Sequence, residues 1–323
     1  MMAPDKRSTL IVLSLVLLGL PALSHAFGSG DVGTTGAQFL QIGPGARQAA
    51  MGEAFAGVAD DIHSIYYNPA GLGNLSRVEV TGMHNQQFQG INYEFAAVSV
   101  PLLSWSDSKL EKNMYGVLGF AMYNLNVGRI ERRGTTETDA PSDTFNSSDF
   151  AYALSYGYAF PETGLSLGVT GKLIDINLDS FHATGFAADA GGLYRMRRLS
   201  IGMGLRNGGS VRRLSSTTDP LPLTLYSGVG YRLTDHLLAA MDIDLPKSNN
   251  AQLAFGGEYS YPFTDKITGS LRAGYNMRTH TAGGVSGSSF GMGVGYYNFM
   301  FDFAWVPYGD LGNTFRYSLH VKF

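Results

Sequence analysis

Two neighbouring carboxylates, Asp60 and Asp61, could hold a cation. Two side chains alone make a poor site for a hard ion, because calcium gathers about six to eight oxygens. Pairing with arginine is the better expectation, with Arg47 and the strand arginines as partners. Seven histidines, His25, His63, His84, His182, His236, His280 and His320, are scattered without the close spacing of a helical zinc site. No G-x-S-x-G elbow points to a nucleophilic serine. Gly28-Ser29-Gly30-Asp31-Val32-Gly33 matches a dinucleotide fingerprint as a string, but no strand precedes it. No metal, cofactor or catalytic group is expected, and the chain does not read as an enzyme. Asp242 and Asp244, Arg272 and Arg278, and Glu258 fall on polar faces of alternating segments, where ion pairing is the expected role.

The elements that must position these groups follow from composition and period. The chain has 323 residues, 44% hydrophobic and 15% charged, with 42 glycines and no cysteine. Absence of cysteine excludes disulfides, thiolate metal sites and a lipid-modified cysteine. A net charge of -3 gives no reason to expect nucleic acid as a partner. Lys6 and Arg7, an apolar run over 10–20, Pro21 and the small-residue pattern ending at Ala26 read as a secretory signal peptide, residues 1–26. That run is shorter than the roughly 20 apolar residues a spanning helix needs, so a membrane location requires strands. Residues 27–76 read as a flexible arm and a non-strand segment, and 77–323 as strands.

From about Arg77 onward apolar and polar residues alternate. Phe150, Tyr152, Leu154, Tyr156, Tyr158 and Phe160 oppose Ala151, Ala153, Ser155, Gly157 and Ala159. The same pattern recurs in about fourteen segments, starting near Arg77, Asn92, Asn113, Asp149, Gly164, Ala183, Leu199, Pro222, His236, Ala251, Lys266, Ser288, Asn298 and Asn313. Their length, roughly 9 to 13 residues, suits an oblique bilayer crossing better than a soluble sandwich. Connections sort by parity: long at 125–148, 207–221 and 277–287, short at 161–163, 196–198, 234–235 and 262–265, with 104–112 as the exception. An all-β transmembrane antiparallel barrel of about fourteen strands is therefore expected, lipid on its outer face and the last strand closing on the first. Tyr317, Leu319, Val321 and the terminal Phe323 resemble the C-terminal signal read by the outer-membrane insertion machinery.

Ahead of the strands, residues 43–72 read GPGARQAAMGEAFAGVADDIHSIYYNPAGL. A helix is expected over 46–56, weakened by Gly52. Asn68 before Pro69 is expected to leave 65–67 extended and to open a short helical turn over 69–72. AMGEAFAGVADD followed by YYNPAGL resembles the N-terminal signature of the PorV/PorQ outer-membrane proteins, relatives of the FadL long-chain fatty-acid transporters. The resemblance implies a fourteen-stranded barrel in the bacterial outer membrane with an N-terminal plug folded inside. Its plug motif comprises Arg47, Met51, Gly52, Asp60, Asn68, Pro69, Ala70 and Gly71, as structural and gating candidates. FadL-like members pass hydrophobic molecules through the barrel, and small inner-face residues such as Ala151, Ala153, Gly157 and Ala159 are expected to leave room for one. PorV-like members instead serve a type IX secretion machinery, which would make secretion-system proteins the partners.

Overall fold

The computed structural model describes residues 33–102, 115–135, 139–213, 218–282 and 284–323. The signal peptide and the connection expected at 104–112 lie outside these residues. Strand β1 spans Glu79–Gln86, β2 Ile91–Pro101, β3 Val117–Arg132, β4 Asp143–Ala159, β5 Leu165–Leu178, β6 Phe181–Met196, β7 Leu199–Arg213 and β8 Thr218–Pro220. The remainder are β9 Thr224–Arg232, β10 Leu237–Pro246, β11 Gln252–Pro262, β12 Ile267–Asn276, β13 Ser288–Tyr296, β14 Phe299–Pro307 and β15 Asn313–Lys322.

All pairings among the described residues are antiparallel, each strand beside its sequence neighbour, and β1 closes on β15 from Glu79 opposite Lys322 to Gln86 opposite Phe315. β8 is a three-residue ribbon on β7, which pairs on through to β9, so fourteen strands form the wall. Closure leaves no unpaired edge to lipid. The outer face carries Tyr152, Leu154, Leu167, Val169, Leu271, Phe301 and Leu319, all exposed, while Ser155, Thr170, Lys172, Ser270, Arg272, Arg316 and His320 point inward and are buried.

Two expectations about the loops are corrected. Most of 125–148 and 207–221 is strand: β3 and β4 pair out to Arg132 opposite Asp143, past a bulge between Val127 and Ile130, and β7 runs to Arg213. The connection between β5 and β6, on the same rim, is only the turn at 179–180. Strands therefore reach up to 17 residues, not 13. Beyond the bilayer both faces of a ladder meet water, so the pairing continues where the alternation has stopped.

The core is the lumen. Met51, Phe55, Ile62, Ile65 and Leu72, all from the segment ahead of β1, are 0% exposed and form one cluster with the inward residues Phe95, Tyr123, Ala151, Ala153 and Ile174. The room expected beside Ala151 and Ala153 is thus taken by the chain's own plug.

Candidate functional site

The plug descends from one rim to the other. Gly36 donates its N–H to the carbonyl of Pro220 at the long-hairpin rim (3.0 Å), and the chain then winds through the barrel and enters β1 at the short-turn rim. Helix α1 covers only Ala46–Ala50, not 46–56, because Gly52 (φ 65°) and Glu53 (φ 65°) turn the chain into the left-handed region. Helix α2 covers Ser64–Tyr67, which corrects the extended backbone expected at 65–67. Proline restricts only the residue directly before it, and that residue, Asn68, is extended at φ -163°. The 3-10 turn Pro69–Asn74 follows as expected, with Asn68 Oδ1 accepting from the Ala70 N–H at 3.2 Å. Packing divides the lumen: α1 lies against β12 to β15, and Pro69–Asn74 against β3 to β6.

A chain of charges ties plug to wall. Arg47 grips Glu258 with Nε at 2.7 Å and Nη2 at 2.9 Å, and its Nη1 reaches Asp60 at 2.6 Å and Asp61 at 2.9 Å. Glu258 also accepts from Arg272 Nε (2.6 Å), whose Nη1 donates to Asp302 (2.7 Å). Asp61 further accepts from Gln48 and from the His63 N–H. Burial pushes the Asp61 carboxyl up, but His63, Arg47 and His320 outweigh it and hold it well below the usual carboxylate range. The sequence brought Asp60, Asp61 and Arg47 forward, and the fold brings them together.

Glu53 was not singled out from the sequence. It forms ion pairs with Arg278 and, at 3.1 Å, with Arg316. Burial opposes its ionisation, yet those two guanidinium groups hold its carboxyl below the ordinary value. Tyr66, buried between Lys172 and Arg206, is pushed up to about 12 by burial despite Arg206, and donates its hydroxyl to the Leu40 carbonyl. Asp242, read as a lumen ion-pair residue, instead accepts the backbone N–H groups of Phe55 (2.8 Å) and Ala56 (2.7 Å). Glu79 on β1 accepts from the Ile62 N–H and faces His320 and Lys322 of β15, each contact 3.0 Å, so the closing seam is also a plug contact.

Backbone approaches backbone where glycines meet. A Cβ on Gly274 would overlap the Gly52 nitrogen, one on Gly228 would crowd Gly57, and one on Gly157 would sit 2.6 Å from the Gly73 nitrogen. Gly52 is further fixed by Ser289 and by Asn276, whose Nδ2 donates to its carbonyl at 2.8 Å. Gly71 packs on Ala59, Pro69 sits over Gly168, and Met51 and Ala70 are wholly buried. Among the remaining sequence candidates, Tyr317, Leu319 and Val321 lie on the outer face of β15, away from the lumen, and Phe323, just past its end, donates its N–H to the Val78 carbonyl.

A recess of about 260 Å³ lies at the long-hairpin rim, lined by Gln41, Ile42, Arg278, Thr279, Tyr308, Leu311 and Arg316. Two further spaces hold only about 10 Å³ each.

Residues 24–174 match the model of UPF0164, described as an uncharacterised protein family. No curated protein sequence matches the chain. Solved structures share its fold: the toluene transporter TbuX of Ralstonia pickettii (TM-score 0.55, 14% identity) covers 87% of this chain with 98% of its own length. The monoaromatic hydrocarbon channel CymD (TM-score 0.54, 12% identity) and a FadL homologue from Pseudomonas aeruginosa (0.53, 13%) give the same coverage, 87% and 98%. The chain has the architecture of the FadL-like outer-membrane barrels, a closed antiparallel wall of fourteen strands.

Proposed function

We propose that this chain resides in the bacterial outer membrane and admits hydrophobic small molecules, with the plug closing the barrel in the conformation described. The observation that carries this reading is the combination of a filled lumen with a sizeable recess at the long-hairpin rim. A diffusion pore needs a continuous aqueous path, whereas a selective passage needs a binding recess first and a moving element second. The recess offers apolar walls at Ile42, Tyr308 and Leu311. The fold neighbours, a toluene transporter and a monoaromatic hydrocarbon channel, agree with this in substrate chemistry. Deleting the gene should slow uptake of a radiolabelled alkylbenzene by intact cells severalfold, with recovery on complementation. Unchanged uptake would overturn the reading.

One set of contacts favours a second reading, the PorV/PorQ-like role of a barrel that scaffolds a secretion or surface-assembly machine without transporting. Arg47, Glu53, Asp242 and the glycine contacts bind the plug on all sides, as a permanent filling would require. Crosslinking in intact outer membranes separates the two: recovery of a defined secretion partner supports scaffolding, and none recovered excludes it.

A further inference from the structure

The lipid-facing side of the barrel changes character at the strand where it closes. β15 presents Phe315, Tyr317, Leu319 and Val321 outward, apolar along its length. Beside it, β1 presents Val80, Gly82, His84 and Gln86, with His84 opposite Tyr317 and Gln86 opposite Phe315. The polar residues of β1 therefore stand next to residues of the apolar band. On the other flank β2 places Glu94 opposite His84 and Ala96 opposite Gly82. His84 Nδ1 and Glu94 Oε1 are 2.6 Å apart, and the two side chains are 48% and 43% exposed. Among the described residues, His84 Nε2 and Glu94 Oε2 have no hydrogen-bond partner. Ionisable groups on a lipid-facing surface are costly, and in membranes they concentrate where another protein surface covers them. Small residues let such surfaces come close, and Gly82 has open space where a Cβ would stand.

We propose that the outer face of β1 and β2 is a contact surface for a second copy of this chain. The inference rests on the placement of the barrel in the outer membrane and is independent of what the barrel admits. Complementarity selects a second copy over other occupants. His84 and Glu94 are cross-strand neighbours and so stand at nearly the same depth. A twofold axis along the membrane normal preserves depth and exchanges the two strands, which sets His84 of one copy against Glu94 of the other. Each imidazole then turns its second nitrogen to the facing carboxylate, and each carboxylate its second oxygen to the facing imidazole. A face of one charge sign would repel its own copy, and a wholly apolar one would gain no hydrophobic advantage over lipid. Gly82, Ala96 and Val98, on the same outer face, keep the approach close.

The chain has no cysteine, so single introduced cysteines report the contact. Gly82→Cys, Ala96→Cys and Val98→Cys probe this face one at a time, and Leu154→Cys and Leu271→Cys probe exposed positions elsewhere on the wall. Iodine oxidation of intact outer membranes is expected to link at least one of the first three into a disulfide dimer of twice the chain mass, severalfold above both controls. His84→Leu with Glu94→Leu, added to that cysteine variant, suits lipid and should keep the heat-modifiable migration of a folded barrel while cutting the dimer severalfold. The exchange His84→Glu with Glu94→His should restore it. Equal yields at probe and control positions, a dimer untouched by the double leucine variant, or no recovery in the exchange variant each overturn the contact. A linked product whose other half is a different protein overturns self-association. Labelling of Leu154→Cys by a membrane-impermeant maleimide overturns the membrane placement itself.

Discussion

Asn68 Nδ2 donates to the carbonyl of Gly192 at 3.0 Å, a bond from the deepest turn of the plug to the lumen face of β6. The same nitrogen donates to Ala56 at 3.0 Å, and the Oδ1 caps Ala70. A single buried amide thus joins two arms of the plug and one wall strand. Asn68→Ala strips three bonds and leaves buried acceptors unmet, at about 1–3 kcal/mol each at most. Asn68→Ala with Pro69→Ala is expected to raise leak conductance in planar bilayers while the barrel keeps its heat-modifiable migration. A double variant as tight as the parent would mean the turn does not hold the plug.

Arg47 is the hub on which three carboxylates converge. Arg47→Gln leaves Asp60, Asp61 and Glu258 short of a partner in a nearly buried setting, a loss on the order of 3–5 kcal/mol. Glu258→Gln keeps the shape and removes one charge, so its effect should be smaller. Limited proteolysis reports the difference: cleavage within 46–63 should appear in Arg47→Gln at protease levels that spare the parent. Equal resistance of both variants would contradict the hub.

The glycine contacts predict a steric, not electrostatic, phenotype. Gly274→Ala drives a methyl into the Gly52 backbone, and overpacking of this kind costs about 1–3 kcal/mol. Gly82→Ala, on the open outer face with nothing within 4 Å, serves as the control. Thermal unfolding followed by gel mobility should shift down for Gly274→Ala alone.

Acid should act late. Glu53 and Asp61 titrate below their ordinary range in the folded protein. Their stabilisation is therefore complete above the unfolded values and is lost as pH falls through the lower folded ones. Plug retention should be flat from pH 7 to about 5 and fail only below the usual carboxylate region near 4. Conductance recorded against pH tests this, and a rise already at pH 6 would assign control to another group.

The barrel was legible because lipid on one side and plug on the other impose a period of two. Expected strand starts such as Leu199, Ser288 and Asn313 coincide with the observed ones. The start expected at Asp149 misses the observed Asp143, since Thr144, Phe145, Ser147 and Ser148 pair in a projecting ladder that water wets on both sides. Within the plug, the Arg47 partnership was readable because Asp60 and Asp61 lie 13 and 14 residues away. Glu53 was not, since its partners stand 225 and 263 residues further along the chain, on a rim turn and on β15. No local pattern carries information across that distance.

A cork can be expelled whole, but this plug is held differently at its two ends. At the long-hairpin rim the Gly36 N–H donates to the Pro220 carbonyl, and at the opposite rim the chain continues covalently into β1. The plug is thus one with the wall at the rim where β1 begins and is held at the other by contacts that leave its chain distinct from the strands.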